Sequence, residues 1–454
     1  MIWWFYNCLF PVVYLLMLPR FLVRMYRRGG YRRGFLQRLA LYERPLRERL
    51  QGQSRIWVHA VSVGEVLVAL RFMAAYRARR PGAAFILTTA TSTGHAVAAK
   101  QLAPADVLLY FPADFPPVIR RAIRILNPLA LVLVESELWP NLIRQMQQGR
   151  RPIMLLNARM SDRSYRRYRQ VRFLTRPLLA LIDLFCVPGL EERTRLIALG
   201  APAQHIHITG SAKYDVAAAA AKGAMPRAEL LQRAGFENTA HLLVGGSTWP
   251  GEETILLELY QNLRRQHPQA RLVLAPRHME RAAAIVHEIE KSGLNYRRWS
   301  SAQPSQAPAV LLVDTTGELR HFYAAATAIF VGKSLTAHGG QNIIEPAVFA
   351  KPIIIGPHME NFRSVTADFL AAQALIQVQD KEGLERALTL LWTEEAERRA
   401  YGDRAQRLVQ TKAGSIAAGV DLFLALIAAA PSGPARSGQG AQQTTMNQER
   451  LNER

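Results

Sequence analysis

The sequence predicts an α/β protein built from two doubly wound, Rossmann-like parallel-sheet domains in tandem, behind an N-terminal apolar segment. Three observations predict this. Short apolar runs alternate with helix-length patterns through two separate stretches of the chain. Between the stretches, near Ser211, the alternation gives way to an alanine-rich helical segment, 216–233. Polar or glycine-containing turns follow the apolar runs, at the strand ends where open α/β sheets bind ligands.

In the first series, strands are expected at Ile56–Val61, Ala84–Thr89, Val107–Tyr110, Ala130–Val134, Pro152–Leu156 and Leu184–Pro188, with helices such as Glu65–Arg79 and His95–Gln101 between them. In the second, they are expected at His241–Gly245, Arg271–Ala275, Ala309–Val313, Ala328–Val331 and Pro352–Ile355, and the last helix at Gly414–Ala430. The chain then divides into an anchor (1–25), a first domain (26–215), a connection (216–235), a second domain (236–430) and a tail (431–454). The tail has no apolar periodicity and is expected to be disordered.

Residues 2–19 are almost entirely apolar and include Trp3, Trp4, Phe5 and Tyr6. Counting on to Val23 gives roughly the ~20 residues of a spanning helix, interrupted by Pro11, Pro19 and Arg20. Arg24, Arg27, Arg28, Arg32, Arg33 and Arg38 follow. A cleaved signal peptide has its charges first, so this order predicts an N-terminal anchor with a cytoplasmic basic flank. A shallow interfacial helix fits the same residues. The formal charge of +22 implies an acidic partner: nucleic acid, an anionic membrane surface or a phosphorylated substrate. The two cysteines, Cys8 and Cys186, support neither a disulfide framework nor a cysteine zinc site and fit a reducing compartment.

The turn Ser62-Val63-Gly64 joins the first strand to a helix, and Glu65 follows it directly. A carboxylate there points into the ligand crevice and is a general-base candidate. The same position also suits an acidic residue that serves only the helix dipole. Glu135 and Glu137 follow the strand ending at Val134. The hydroxyl-rich turn 88–95 suits sugar or phosphate oxygens, or helix capping. Arg159 to Arg169 forms a cationic rim or a solvated face, and Lys213 lies at the end of the first domain, facing the presumed cleft.

In the second series, Gly245-Gly246-Ser247-Thr248 precedes Glu252-Glu253 at a helix start. The glycines allow close backbone approach to a ligand, and the helix start can hold a phosphate. Pro276-Arg277 offers a phosphate partner. Asp314 to Glu318 follows another strand. After Val331 come Gly332-Lys333-Ser334 and then Gly339-Gly340-Gln341-Asn342-Ile343-Ile344-Glu345, where backbone amides can take a nucleotide phosphate and Glu345 the ribose hydroxyls. No Gly-x-Gly-x-x-Gly, His-Glu-x-x-His, Asp-x-Asp, Walker lysine or Gly-x-Ser-x-Gly pattern occurs, which argues against dinucleotide binding, chelated-metal chemistry and acyl hydrolysis.

These blocks, in this order, resemble the 3-deoxy-D-manno-octulosonic acid (Kdo) transferases of lipopolysaccharide synthesis. The resemblance runs to about residue 425 and rests on His-Ala-Val-Ser-Val-Gly-Glu at 59–65, Glu-Leu-Trp-Pro-Asn at 137–141, Asn-Ala-Arg-Met-Ser at 157–161, Ala-Pro-Arg-His at 275–278 and Gly-Pro-His at 356–358. It implies a GT-B glycosyltransferase fold, two Rossmann-like domains facing a cleft. It also implies an inverting, metal-free reaction with no cofactor, CMP-Kdo as donor, the lipid A precursor lipid IVA as acceptor, and a place at the cytoplasmic side of the inner membrane. Glu65 matches the catalytic base of the family; Glu135 and Lys213 match positions assigned to transition-state stabilisation. Pro276 and Arg277, then Thr316, Gly317 and Glu318, then Asn342, Ile343, Ile344 and Glu345 match the CMP-binding segments. One block departs from the pattern: Gln341 and Ile343 stand where the family has histidine and proline. Two other readings carry different expectations. Another GT-B enzyme using a UDP-sugar on a membrane lipid would be inhibited by UDP rather than CMP. A non-catalytic, membrane-tethered polyanion binder would show steeply salt-dependent DNA binding, although no nucleic-acid-binding motif supports it.

Overall fold

A computed structural model describes residues 34–430 apart from 222, 238 and 302–306, together with Trp3, residues 6–9, Leu16 and Pro19. Most of the expected anchor and all of the expected tail lie outside the described residues. The chain forms two compact units, one of Met1–Thr209 with Ile416–Arg454, the other of Gly210–Ser415.

The first unit is built on seven parallel strands: β1 (Arg55–His59), β2 (Phe85–Thr89), β3 (Val107–Tyr110), β4 (Pro128–Val134), β5 (Ile153–Leu156), β6 (Leu184–Val187) and β7 (Ile206–Ile208). Their order is β3-β2-β1-β4-β5-β6-β7. The strands read as continuous apolar runs because helices cover both faces of the sheet. Trp57, Ile86, Leu131 and Leu133 enter one core with Ile119, Ile143 and Phe185. On the other face, the helix Val63–Arg79 contributes Phe72 and Tyr76, which meet Phe423 edge-on at 5.6 and 6.0 Å. The chain steps outward from β1 to β3 and then returns to place β4 on the free side of β1. That reversal between β1 and β4 opens a crevice at the carboxyl ends of the two strands.

The second unit repeats the plan with β8 (Leu242–Thr248), β9 (Arg271–Pro276), β10 (Tyr296–Arg298), β11 (Val310–Leu312), β12 (Ala328–Val331), β13 (Ile353–Ile355) and β14 (Ile376–Gln377). The order β10-β11-β9-β8-β12-β13-β14 puts the reversal between β8 and β12. Tyr323, Phe322 and Trp299 belong to the core on one face of this sheet, Tyr260 and Trp392 to that on the other.

The unit boundaries differ from the sequence division in three places. The first unit ends at Thr209, so Lys213 belongs to the second unit rather than closing the first. Segment 216–235 is no free connection: Ala212–Ala221 and Arg227–Ala234 are helices, and Tyr214, Ala217, Leu230 and Leu231 are buried in the second unit's core. The final helix, Ser415–Ala429, returns to the first unit, where Ile416, Val420 and Phe423 are buried. Gly419 makes this possible, since even its added Cβ would lie 3.3 Å from Leu156 and Met154 side chains. Among the described residues, one stretch, Glu395–Ala429, is long and apolar enough to cross a membrane by composition. It is two helices, Glu395–Lys412 and Ser415–Ala429, and the second is packed on the first unit.

The described residues of the N-terminal segment meet the first unit on one side. Tyr6 donates to Asp114 (2.9 Å), the Asn141 amide donates to Asn7 (2.8 Å), and the Arg144 guanidinium lies 4.9 Å from the Trp3 ring. Leu9 and Leu16 remain exposed.

Candidate active site

At the β1–β4 crevice, the loop after β1 presents Glu65 and the loop after β4 presents Glu135 and Glu137. Ser62 caps the helix Val63–Arg79, its hydroxyl accepting from the Glu65 amide at 3.3 Å. The Glu65 carboxylate reaches back in turn, accepting from the Val61 amide and the Ser62 hydroxyl, both at 2.8 Å. This reciprocal arrangement is a capping box, extended by one residue. The helix-start reading of Glu65 is therefore correct, and it also fixes the carboxylate at the crevice. Burial pushes the Glu65 carboxyl upward; the Val61 and Ser62 hydrogen bonds pull it down, and the nearby Glu135 charge adds to the rise.

Glu135 is placed by backbone strain. Its φ is 61°, and that of Asn157, which follows β5, is 54°. Such left-handed conformations cost a non-glycine residue of order 1–3 kcal/mol and collect at functional sites. The Asn157 amide donates to Glu135 at 3.2 Å. Glu135 also lines a shallow cavity with Ser136, Leu138, Arg159, Met160 and Arg195.

Sequence reasoning gave no role to Glu137 or His59, which the structure brings together. His59 is fully buried, and its Nδ1 lies 3.1 Å from the Thr88 carbonyl, so Nδ1 is inferred to carry the proton. Burial holds the ring neutral, its pKa lowered to about 3. Its Nε2 has no hydrogen-bond partner and lies 3.9 Å from the Glu137 carboxyl, which accepts from the Trp139 indole at 3.0 Å. Phe111 stacks on His59 at 3.9 Å. Burial first, and the Glu65 charge second, push Glu137 up to about 7. A histidine at a strand end beside Glu-x-Trp was the available signal, but a buried histidine reads equally well as core.

This shift makes a pH prediction. Between its ordinary value near 4.5 and about 7, folded Glu137 keeps a proton that the unfolded chain has lost. Its stabilising contribution is thus present below pH ~4.5 and lost as pH rises through about 7. Urea unfolding of the first unit at pH 5 and pH 7.5 should show a decline to which Glu137 contributes on the order of 1–3 kcal/mol, removed by Glu137→Gln, while the raised carboxyl of Asp114 leaves a smaller decline of the same sign. An unchanged pH slope in the variant would reject the assignment.

The hydroxyl turn after β2 proves to be a cap: Thr91 accepts from the Gly94 amide at 3.1 Å and donates to the Val61 carbonyl at 2.8 Å. The arginine-rich helix Asp162–Gln170 has no buried residue, so it is a solvated face.

In the second unit, the expected phosphate cradle after β8 is already occupied. Glu252 is fully buried, and its carboxylate accepts from four backbone amides: Trp249 (2.9 Å), Lys333 (2.8 Å), Ser334 (3.0 Å) and Leu335 (3.1 Å). The glycines serve packing rather than a ligand. A Cβ on Gly246 would stand 2.1 Å from the Tyr323 hydroxyl, and one on Gly332 2.5 Å from the Thr248 Cα. Glu252 thus acts as an internal anion that joins the turns after β8 and β12.

The remaining predicted donor-side residues fall at the carboxyl ends of the strands. Pro276 ends β9 and is buried, while Arg277 is exposed and its amide donates to the Thr248 carbonyl at 3.1 Å. Asn342 donates to Glu345 at 3.1 Å and accepts from the Ile344 amide at 3.1 Å. Ile343 and Ile344 are buried, while Asn342 is half-buried and Glu345 exposed. Surrounding protein pushes the still solvent-accessible Glu345 carboxyl upward, against the pull of the Asn342 amide and the Arg277 charge. Thr316 and Gly317 are exposed in the turn after β11, with Glu318 half-buried 3.9 Å from His321. Lys213 opens the helix Ala212–Ala221, its ammonium 5.2 Å from the Phe362 ring.

A family model described as 3-deoxy-D-manno-octulosonic-acid transferase (kdotransferase) matches residues 33–216. A 3-deoxy-D-manno-octulosonic acid transferase of Haemophilus influenzae is 30% identical over 400 residues, covering 87% of this chain and 91% of its own. One from Bordetella pertussis is 34% identical, covering 79% and 84%. The chain belongs to the Kdo transferase family. It is accordingly an enzyme of the glycosyltransferase class. Its fold also matches that of a UDP-GlcNAc 2-epimerase from Neisseria meningitidis, with TM-score 0.57 over 82% of this chain and 99% of the other at 12% identity. The two parallel-sheet units of this Kdo transferase are those of the GT-B fold, as the resemblance implied.

Proposed function

We propose that the protein transfers Kdo from CMP-Kdo to the lipid A precursor lipid IVA, as an inverting glycosyltransferase of lipopolysaccharide core synthesis. The observation that carries this reading is Glu65, held by its capping box at the β1–β4 crevice beside Glu135, in a chain of the Kdo transferase family. An acceptor hydroxyl is a poor nucleophile until a positioned carboxylate takes its proton. In the proposed step, the acceptor oxygen bonds to the anomeric carbon as the bond to CMP breaks. The hydroxyl proton passes to Glu65, and the bonding pair leaves with the CMP phosphate. Glu135 stabilises the oxocarbenium-like charge of the transition state, and Lys213 the departing phosphate. The second unit holds the nucleotide through Pro276 and Arg277, Thr316 to Glu318, and Asn342 to Glu345. The step uses no metal or cofactor.

The acceptor is an anionic lipid, and the first unit offers a surface suited to one. Arg163, Arg166, Arg167 and Arg169 are exposed on the helix Asp162–Gln170, and Phe173 beyond it is 74% exposed. Each such cation contributes about 1 kcal/mol of attraction near an anionic membrane. Attachment through the N-terminal segment would place this enzyme on the cytoplasmic side of the inner membrane, with no nucleic-acid partner.

Mass spectrometry of the product from CMP-Kdo and a tetraacylated lipid A precursor tests the proposal directly. Addition of Kdo is expected, with inhibition by CMP and not by UDP; inhibition by UDP alone would favour a UDP-sugar donor. Arg277→Ala should raise the donor KM by roughly 10–100-fold, the cost of one charge-assisted hydrogen bond. Unchanged donor KM and kcat would reject the phosphate role of Arg277.

A further inference from the structure

The second unit carries a cluster of metal-ligating side chains that the proposed transfer does not use. His338 lies in the loop after β12, and His358 and Glu360 in the loop after the adjacent strand β13. Their candidate ligand atoms lie within 4.8 Å of one another. Nδ1 of His338 is 2.9 Å, and Nδ1 of His358 3.6 Å, from the same oxygen of Glu360. The two rings are 4.0 Å apart. In a tetrahedral zinc site with bonds of about 2.0–2.2 Å, neighbouring ligands stand about 3.3–3.6 Å apart. The two observed separations bracket that edge.

The backbone holds the set in place. The second Glu360 oxygen accepts from the Gly339 amide at 2.6 Å, the Asn361 amide donates to the Gly339 carbonyl at 3.0 Å, and the His358 amide to the Ser334 carbonyl at 3.0 Å. Such supporting hydrogen bonds orient metal ligands. The side chains of His338, His358 and Glu360 are 77%, 32% and 37% exposed, so an ion reaches them without any opening of the fold. Two imidazoles and one carboxylate favour zinc over magnesium or calcium, and leave a fourth position for water.

We propose that His338, His358 and Glu360 form a Zn²⁺ site that clips the loop after β12 to the loop after β13. Its role is conformational rather than catalytic. Gly339 and Gly340 lead through Gln341 into Asn342–Glu345, so the clip restrains the segment proposed to hold the nucleotide.

The test is metal binding by the full chain after chelator treatment, and it does not depend on transferase activity. Zn²⁺ titration by calorimetry is expected to show one equivalent bound at micromolar or tighter affinity, and Co²⁺ to give the visible absorption of a four-coordinate site. His338→Ala, His358→Ala and Glu360→Gln should each weaken binding by about 100-fold or more, beyond the ~10–100-fold cost of losing a supporting hydrogen bond. His207→Ala, at an exposed histidine of the first unit, should change nothing. His338→Ala removes a side chain that is 77% exposed, so its circular dichroism and melting should match the parent. No saturable binding, or binding that survives both histidine substitutions, would overturn the site and leave a hydrogen-bonded His–Glu cluster.

Discussion

Glu65→Gln is expected to lower kcat for Kdo transfer by about 10²–10⁴-fold, the usual contribution of a general base, while CMP still binds within about a factor of two, since the residues proposed to hold the nucleotide are unchanged. The choice of glutamine follows from the dual role of this side chain. Glu65 accepts from the Val61 amide and from the Ser62 hydroxyl. A glutamine can keep both contacts, with its carbonyl oxygen on Val61 and its amide on the Ser62 oxygen, because a serine hydroxyl also accepts. Alanine loses both, at a cost of about 0.5–2 kcal/mol for a helix cap. The two variants should thus be equally slow and differ in melting temperature. Single-turnover transfer, CMP calorimetry and thermal unfolding separate these terms. Full turnover by the glutamine variant would remove Glu65 as the base and leave it a helix cap. Because burial raises its carboxyl, the rate should climb with pH through a pKa above the ordinary carboxylate range, and this limb should vanish in the variant.

What the sequence disclosed, and what it hid, follows from the range of the interactions involved. A strand buried on both faces announces itself locally, so the expected runs at Val107–Tyr110 and Ala328–Val331 coincide with β3 and β12. The switch points follow from strand order, and they put Glu65 and Glu135 together at one crevice. The three strands not expected, β7, β10 and β14, have three, three and two residues, too few to set a period. Lys213 was assigned to the wrong unit because an alanine-rich helix shows no apolar stripe that says which core it enters; the partners of Tyr214 and Ala217 decide that. The return of Ser415–Ala429 to the first unit is likewise a matter of contacts hundreds of residues away. Glu137 rests on a histidine from another strand. At Gly245–Thr248 the glycines suggest close approach of a ligand, with a phosphate at the helix start; instead they serve packing, and the anion at the helix start is Glu252, held by the amides of Trp249 and Lys333 to Leu335.

That internal anion gives the largest expected effect on stability. Glu252→Ala would leave four backbone amides, those of Trp249, Lys333, Ser334 and Leu335, facing an empty buried space. Each unsatisfied buried group costs about 1–3 kcal/mol, so even with partial relaxation the loss should be about 4 kcal/mol or more. In a unit of this size, that corresponds to a fall in Tm of roughly 8–16 °C, out of a total stability of about 5–15 kcal/mol. Glutamine should rescue little here, in contrast to Glu65. All four partners are N–H donors, two on each carboxylate oxygen, so an amide group must turn its own donors toward the Trp249 and Lys333 amides or toward those of Ser334 and Leu335. The loop from Gly332 to Leu335 runs on toward Asn342 and Glu345, so its release should also weaken CMP binding. Limited trypsin digestion offers a local readout, because Lys333 lies in the freed loop and should become a cleavage site before the unit unfolds globally. A Glu252→Ala protein with parental melting temperature and no new cut at Lys333 would show that the carboxylate is dispensable. The β8 and β12 turns would then be joined by the close packing of Gly332 against Thr248 and by the hydrogen bonds from the Gly332 amide to the Gly246 carbonyl and from the Thr336 hydroxyl to the Pro250 carbonyl, both 2.9 Å.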